Sequence, residues 1–440
     1  MPFLPRIVSY RTVSEGQSGS IQVRRLLLYG YRRFGTLDFA PAQLNVILGV
    51  NGSGKSALLQ SLAVGLSRLT SRITSGRSGG LLVSNEDIPI DSTSASVIVM
   101  VERDGALYDQ VVNRTKKGRN PASRTYEVEP RFVDPRRSMA QLSKLADLYR
   151  AELTSNDAAS VPVIVMYPVN RAVTQIPARR RRRTSFDQVT AFDGAFDGQR
   201  NFRTFFEWFR EREEFENEVR TEDQRHRDPQ LQAVRQALER LMPGYENLRV
   251  KRSPLRMTVQ KGAEGEFLIN QLSDGEKVLL SLVGDLARRL AVANPSVADP
   301  LAGEGIVMVD EVDLHLHPSW QRRIVTQLPA VFPGVQFFLT THSPVIASAV
   351  HPENLWLLRE GEIYHAEAYG QDVALVLSEL FDTPPRIEEV RDQLDQLFEA
   401  IRFQKVDQAN QTLSELDSAI GNSDPDLVKA RTLLRGFAGV

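Results

Sequence analysis

The chain has 440 residues, 42% of them hydrophobic, and a formal net charge of −1, which is enough apolar material for two or three ordinary domains or for one domain with large insertions. Wholesale disorder is excluded, and any contact with nucleic acid must come from local patches rather than from a global charge. Cysteine is absent, which rules out disulfides and thiolate-bound metals, and neither an apolar signal-peptide core after Met1-Pro2-Phe3-Leu4-Pro5-Arg6 nor a run of 18 apolar residues occurs, so a soluble cytoplasmic protein without a membrane partner is expected.

Leu44-Asn45-Val46-Ile47-Leu48 reads as a short buried strand, and Ser56 to Ala63 opens a helix with apolar residues at i, i+3 and i+4. Between them, Gly49-Val50-Asn51-Gly52-Ser53-Gly54-Lys55-Ser56 matches G-x-x-x-x-G-K-[ST], the phosphate-cradling P-loop. The chemistry explains the residue types. Glycines let backbone N–H groups turn toward phosphate, and the helix behind presents the positive end of its dipole to the same anion. Gly49, Asn51, Gly52, Ser53 and Gly54 are therefore candidate nucleotide contacts. Lys55 would reach the β- and γ-phosphates and the Ser56 hydroxyl would coordinate Mg²⁺. ATP with Mg²⁺ is the expected ligand.

Five arginines, Arg179 to Arg183, fit either a contact with phosphates or an acidic partner, or a solvated loop. Asn201 to about Arg227 reads as one helix about 40 Å long, with Phe202, Phe205, Phe206 and Phe209 on a repeating face. Asp228-Pro229 starts another, ending near Met242-Pro243-Gly244. An antiparallel helical pair projecting from the rest is the simplest expectation. Further on, Leu272-Ser273-Asp274-Gly275-Glu276-Lys277 leads into an apolar helix, and Ser273 with Glu276 has capping-box spacing. A capped helix start is also an anion site.

Ile306-Val307-Met308-Val309 reads as a strand buried on both faces, with Asp310 and Glu311 at its carboxyl end, where open α/β sheets place ligands. Asp310 would hold Mg²⁺ and Glu311 would orient and deprotonate the attacking water. The cluster of Asp310, Glu311, Asp313, His315 and His317 could also suggest zinc, but an adjacent P-loop makes a phosphate-site loop the better account. A third strand, Val335 to Leu339, delivers Thr340-Thr341-His342-Ser343-Pro344, and His342 is the candidate γ-phosphate sensor. From Pro384 to Arg435 two or three amphipathic helices are expected, with stripes at Val390, Leu394, Leu397, Phe398 and Ile401, then Leu413, Leu416 and Ile420, then Leu427, Val428 and Leu433.

The P-loop, the Leu-Ser-Asp-Gly-Glu stretch, the Asp-Glu pair and the Thr-Thr-His-Ser-Pro segment together resemble the ATP-binding cassette ATPases of the SMC, RecF and OLD group. Leu28-Tyr29-Gly30-Tyr31-Arg32-Arg33-Phe34-Gly35 is similar to the segment that opens those heads, which makes Arg32 a candidate nucleotide contact. The resemblance implies an α/β P-loop NTPase of ATP-binding cassette type, split as residues 1–170 and 265–370, with a helical arm insertion at 171–264 and a helical region at 371–440. It also implies head-to-head dimers, or oligomers of dimers, that sandwich two ATP molecules, with Ser273 and Gly275 contacting the γ-phosphate held by the partner. Asn170 or Arg171 would occupy the loop that senses Mg²⁺ and water. Asp274 stands where many signatures have glycine, and His317 where SMC heads have an aspartate.

Asp310 to Pro318 together with Thr341 to Pro344 further resembles the compact phage-defence ATPases of Septu systems and related retron systems, which act with an HNH nuclease encoded beside them. That implies an ATPase controlling a separate nuclease, with nucleic acid met through the assembly. A repair or chromosome ATPase of SMC or RecF type is the alternative. The tail is too short for an OLD-type nuclease domain.

Overall fold

The computed structural model describes residues 20–77, 79–116, 126–128, 131–133, 135–169, 187–197 and 201–438. Strands β1 (Gln22–Tyr31) and β2 (Phe34–Phe39) form a hairpin ahead of β3 (Leu44–Leu48) and helix α1 (Lys55–Ser75). There follow β4 (Ser94–Arg103), β5 (Ala106–Thr115), the short pair β6 (Tyr126–Val128) and β7 (Arg131–Val133), α2 (Pro135–Ser155) and β8 (Val163–Tyr167). Next come α3 (Asn201–Val219), α4 (Pro229–Leu241), β9 (Tyr245–Arg252), β10 (Leu255–Lys261), β11 (Gly265–Leu268) and α5 (Asp274–Ala293). The head closes with β12 (Gly305–Val309), α6 (Pro318–Val331), β13 (Val335–Thr341), the single turn α7 (Pro344–Ala347), β14 (Leu355–Arg359) and β15 (Glu362–His365).

The central sheet has the order β15-β14-β3-β13-β12-β8, parallel except for β15 at its edge. Its inner strands are mainly apolar because both faces are covered; every residue of β8, β12 and β13 is buried, the polar Gln336, Thr340 and Thr341 of β13 included. An antiparallel sheet, β2-β1-β4-β5, lies on the other side of α1. Gly65 permits that closeness, since a Cβ there would fall 2.2 Å from Val99 Cγ2. In a third sheet, β11-β10-β9, β9 and β10 fall within the stretch 171–264 expected to be helical, while β11 lies just beyond it.

The insertion differs from the projecting pair expected above. Helix α3 ends at Val219 after 19 residues, about 28 Å, and α3 and α4 each pack on α5. Phe202, Phe205, Phe206 and Phe209 are all buried, with Trp208 beside them. Two short helices packed only on each other could not cover so wide an aromatic face, so hydrophobic burial lays them on the head. Gly284 of α5 is where they meet: a Cβ there would stand 2.7 Å from the Phe205 ring.

At Gly370 the chain divides into two compact units. The second holds α8 (Val373–Phe381), α9 (Glu388–Arg402), α10 (Val406–Ile420) and α11 (Pro425–Ala438). Leu394, Leu397, Ile401, Leu413, Leu416 and Leu427 form its core. In α11 the buried positions after Leu427 are Ala430 and Leu434, while Val428 and Leu433 are exposed, a shift of the stripe by one or two residues from the sequence reading. Arg386 pins the unit's last turn through paired bonds to Asp424 (2.9 and 3.0 Å) and one to Asp426 (2.7 Å).

Gly284→Ala should therefore push α3 off α5 and lower stability by about 1–3 kcal/mol, read as a lower melting temperature in calorimetry. An unchanged melting temperature would mean that the Phe205 contact is not tight.

Candidate functional site

Parallel pairing brings three distant segments to one sheet edge. Leu48 pairs with Thr341 and Leu339 with Val309, so the P-loop, the Thr340–Ser343 turn and the Asp310-Glu311 pair all leave the carboxyl ends of adjacent strands. Gly52 (φ 76°) and Gly54 (φ 110°) take left-handed backbone angles, which non-glycine residues rarely adopt. The cradle is also tight: a Cβ at Gly49 would lie 2.5 Å from Ser53 Oγ and 2.7 Å from the Leu358 carbonyl oxygen.

Lys55 is 5% exposed. Its Nζ donates to the carbonyl oxygens of Gly49 (2.8 Å) and Val50 (3.2 Å) and stands 3.4 Å from His342 Nδ1. An ammonium can only donate, so the facing imidazole nitrogen is the acceptor. Burial lowers the Lys55 pKa to about 8, against the opposing charges of Asp310, Glu311 and Asp313. Burial, then the Lys55 charge, lowers that of His342, which favours a neutral ring. Ser56 is exposed on the first turn of α1.

Thr340 organises the acidic pair. Its hydroxyl donates to Asp310 Oδ1 (2.6 Å) and accepts from the Glu311 backbone N–H (2.8 Å), while its carbonyl accepts from Val312 N–H (2.9 Å). Glu311 sits at φ +48°, a left-handed angle that costs a non-glycine residue about 1–3 kcal/mol and persists only where neighbours hold it. Thr340 supplies that hold. Its signal in the sequence was faint: a polar residue, fully buried, closing an apolar strand.

The residues fit a nucleotide and its metal. Ser53 Oγ and Asp313 Oδ1 are buried with no hydrogen-bond partner, and the P-loop glycines leave a hollow that side chains would fill. Ser56 and Asp310 are the oxygen donors suited to Mg²⁺.

Ser273 caps α5 in a full capping box: its N–H donates to Glu276 Oε2 (2.7 Å) and its Oγ accepts from Glu276 N–H (3.4 Å). Asp274 is balanced by Lys277 at 3.3 Å. Gly275 has an intramolecular reason to be glycine, because a Cβ there would meet the His315 carbonyl oxygen at 2.3 Å. His317 caps α6, accepting from Ser319 N–H (3.3 Å). Gln321, which the sequence reading did not single out, ties two loops together: Nε2 donates to the Leu316 carbonyl (2.9 Å) and Oε1 accepts from Ser343 Oγ (2.7 Å).

Arg32, the candidate nucleotide contact in this turn, pairs with Asp87 in this structure. Its Nε donates to Asp87 Oδ1 (2.8 Å). Arg33 lies against the P-loop, with its side chain beside Gly54, where a Cβ would fall 2.7 Å from Arg33 Cδ. Two adjacent arginines in a hairpin turn are indistinguishable until the turn's geometry is known. Asn170, Arg171 and the run Arg179–Arg183 lie outside the described residues.

An AAA-domain profile matches residues 25–246. The "Retron Vc95 probable ATPase" of Vibrio cholerae is 30% identical over 78% of this chain and 74% of its own length. The chain belongs to this family of P-loop ATPases. A second AAA-domain profile, described with the AbiEii toxin of a type IV toxin–antitoxin system, matches residues 176–348. The "Retron Ec83 probable ATPase" of Escherichia coli is 28% identical over 84% of this chain and 78% of its own, and the Septu protein PtuA of Bacillus mycoides is 32% identical over 28% and 19%. Among solved structures, the SMC head domain from Thermotoga maritima covers 79% of this ATPase and 99% of its own chain, at 18% identity and a TM-score of 0.41.

Thr340→Val in this ATPase removes the bridging hydroxyl and keeps the shape. Turnover should fall at least about tenfold, equivalent to ~1.4 kcal/mol of transition-state stabilisation, with KM for ATP little changed. A wild-type kcat would remove Thr340 from this role.

Proposed function

We propose that this ATPase is the dimeric, ATP-hydrolysing component of an antiphage defence system and that it controls a separately encoded HNH-type nuclease. The observation that carries the catalytic part is the convergence of Lys55, His342, Asp310 and Glu311 on one sheet edge. The defence assignment is supported by similarity to the retron ATPases over most of the chain and to Septu PtuA over part of it.

In the proposed reaction Lys55 leaves its carbonyl partners for the β- and γ-phosphates and neutralises charge that grows toward the transition state. Backbone N–H groups of the P-loop, Asn51 to Gly54, hold the phosphates in line. Glu311, fixed by Thr340, accepts a proton from the attacking water. His342, beside the Lys55 ammonium, meets the γ-phosphate from the side of β13. Mg²⁺ held by Ser56 and Asp310 would supply further charge neutralisation. Ser273 and Gly275 at the start of α5 would close on the ATP of a second subunit, with Lys277 offsetting the Asp274 carboxylate. ATP binding thus joins two heads and hydrolysis parts them.

Glu311→Gln should bind ATP, hydrolyse it at least about a hundredfold more slowly and accumulate as an ATP-bound dimer in light scattering. Normal turnover would take Glu311 out of the base role. Lys55→Ala should lose nucleotide binding altogether in equilibrium dialysis. Ser273→Arg should cut hydrolysis while leaving ATP binding to the isolated subunit intact, and full activity from a strictly monomeric protein would defeat the dimer.

The partner is tested by co-expressing the neighbouring genes and weighing the native assembly with and without Mg-ATP. A complex containing an HNH nuclease supports the defence reading. An ATP-dependent dimer that retains DNA on its own moves the function to a repair-type ATPase.

A further inference from the structure

Tyr245 opens β9 of the third sheet and is 6% exposed. Its hydroxyl donates to Glu276 Oε1 on the first turn of α5. Burial and then the hydrogen bond to Glu276 raise the Tyr245 pKa, so the phenol keeps its proton and remains the donor. Burial works against the Glu276 charge, but the hydrogen bonds from Tyr245 and Ser273 outweigh it and lower the Glu276 pKa. Lys261, at the end of β10, stands 3.4 Å from the same Oε1. Two side chains of the third sheet thus hold one oxygen of a carboxylate at the start of α5.

The other oxygen holds Ser273. Oε2 accepts the Ser273 N–H at 2.7 Å, a short charge-assisted bond, whereas Ser273 Oγ accepts from the Glu276 N–H at 3.4 Å, beyond the usual range. The orientation of Ser273 therefore rests mainly on where the Glu276 carboxylate points. In the capping bond Oγ is an acceptor, which leaves its O–H to donate, and Ser273 is exposed.

Tyr245 is the stiffer of the two holds on that carboxylate. Lys261 is long, flexible and shared with Glu264 at 3.3 Å. The Tyr245 ring instead packs edge-on against Trp320, with centroids 6.0 Å apart. Trp320 lies in the first turn of α6, whose cap, His317, ends the loop that follows Glu311. The neighbouring Gln321 ties that loop to Ser343, the residue after His342. The phenol is thus fixed by packing on the element that frames the chain's own nucleotide site.

We propose that Tyr245 is a positioning residue for ATP hydrolysis: braced on Trp320, it fixes the Glu276 carboxylate and through it aims Ser273 at the γ-phosphate held by the second subunit. The proposal rests on the two-subunit reading of Ser273 given above and brings the third sheet into that site.

The test compares kcat, ATP binding to the isolated subunit by equilibrium dialysis, and melting temperature in four variants of the full chain. Tyr245→Phe deletes the hydroxyl and keeps the ring against Trp320. Its kcat should fall about tenfold, with subunit affinity unchanged and the melting temperature close to that of the wild type. Glu276→Ala should be slowed at least as much, and adding Tyr245→Phe to it should lower kcat no further, because the tyrosine acts through the carboxylate. A wild-type kcat in Tyr245→Phe, weakened ATP binding to its isolated subunit, or a loss that multiplies that of Glu276→Ala would each overturn the proposal. If Tyr245→Phe fails to fold, Glu276→Ala decides, and a wild-type kcat there is equally fatal. Ser273→Arg, the fourth variant, separates the two readings. Slow hydrolysis by Ser273→Arg beside a wild-type kcat in Tyr245→Phe refutes the positioning role alone, whereas wild-type hydrolysis by Ser273→Arg refutes the two-subunit reading beneath it.

Discussion

Everything at the candidate nucleotide site depends on the parallel pairing of β3 with β13 and of β13 with β12. Lys55 and His342 stand 287 positions apart in the chain and 3.4 Å apart in space, and that contact exists only because their strands are neighbours. The pairing is enforced by burial. Strands without a polar face fit only inside a sheet covered on both sides, and once they are there, their carboxyl ends open onto one crevice.

The same constraint explains where strain and unsatisfied groups collect. Glu311 adopts a left-handed backbone angle that Thr340 stabilises through a hydroxyl shared with Asp310. Lys55 is buried among carbonyl oxygens, its charge disfavoured by desolvation and supported by three nearby carboxylates. Such arrangements cost stability and are kept where a ligand or a reaction uses them. Thr340, Gln321 and Gly275 do not touch the P-loop in any contact described above. Gln321 and Gly275 instead fix how the start of α5, the loop after Glu311 and the His342 turn lie against one another.

A cluster of a different kind lies behind the site, where α5 packs into the head. Asp285 is fully buried with Arg288 and Arg289, and it accepts from Tyr167 Oη at 2.9 Å. Arg289 also donates to the Ala191 and Asp193 carbonyls, so the charges are satisfied in full. Breaking one partner of such a buried set is far costlier than the net worth of the whole. Helix α5 is therefore tied to β8 and to the segment around Ala191.

Local chemistry was legible from the sequence alone. The P-loop, the apolar strands before it and before Asp310 and the capping box at Ser273 are set by short-range rules of periodicity, capping and turn formation, and each stands where those rules put it; the two or three terminal helices expected are three, with the buried stripe of α11 shifted. Tertiary structure decided what required knowing who packs against whom. The phenylalanine face of α3 announced burial but not its partner, so the helix lies on α5 instead of projecting. Arg32 and Arg33 are equivalent in sequence, and only the left-handed turn at Arg32 sends one to Asp87 and the other to Gly54. Thr340 became meaningful once a hydroxyl on one strand end was seen to hold two residues on the next. Side-chain periodicity encodes which face is buried, whereas the identity of the neighbour is a property of the whole packed chain.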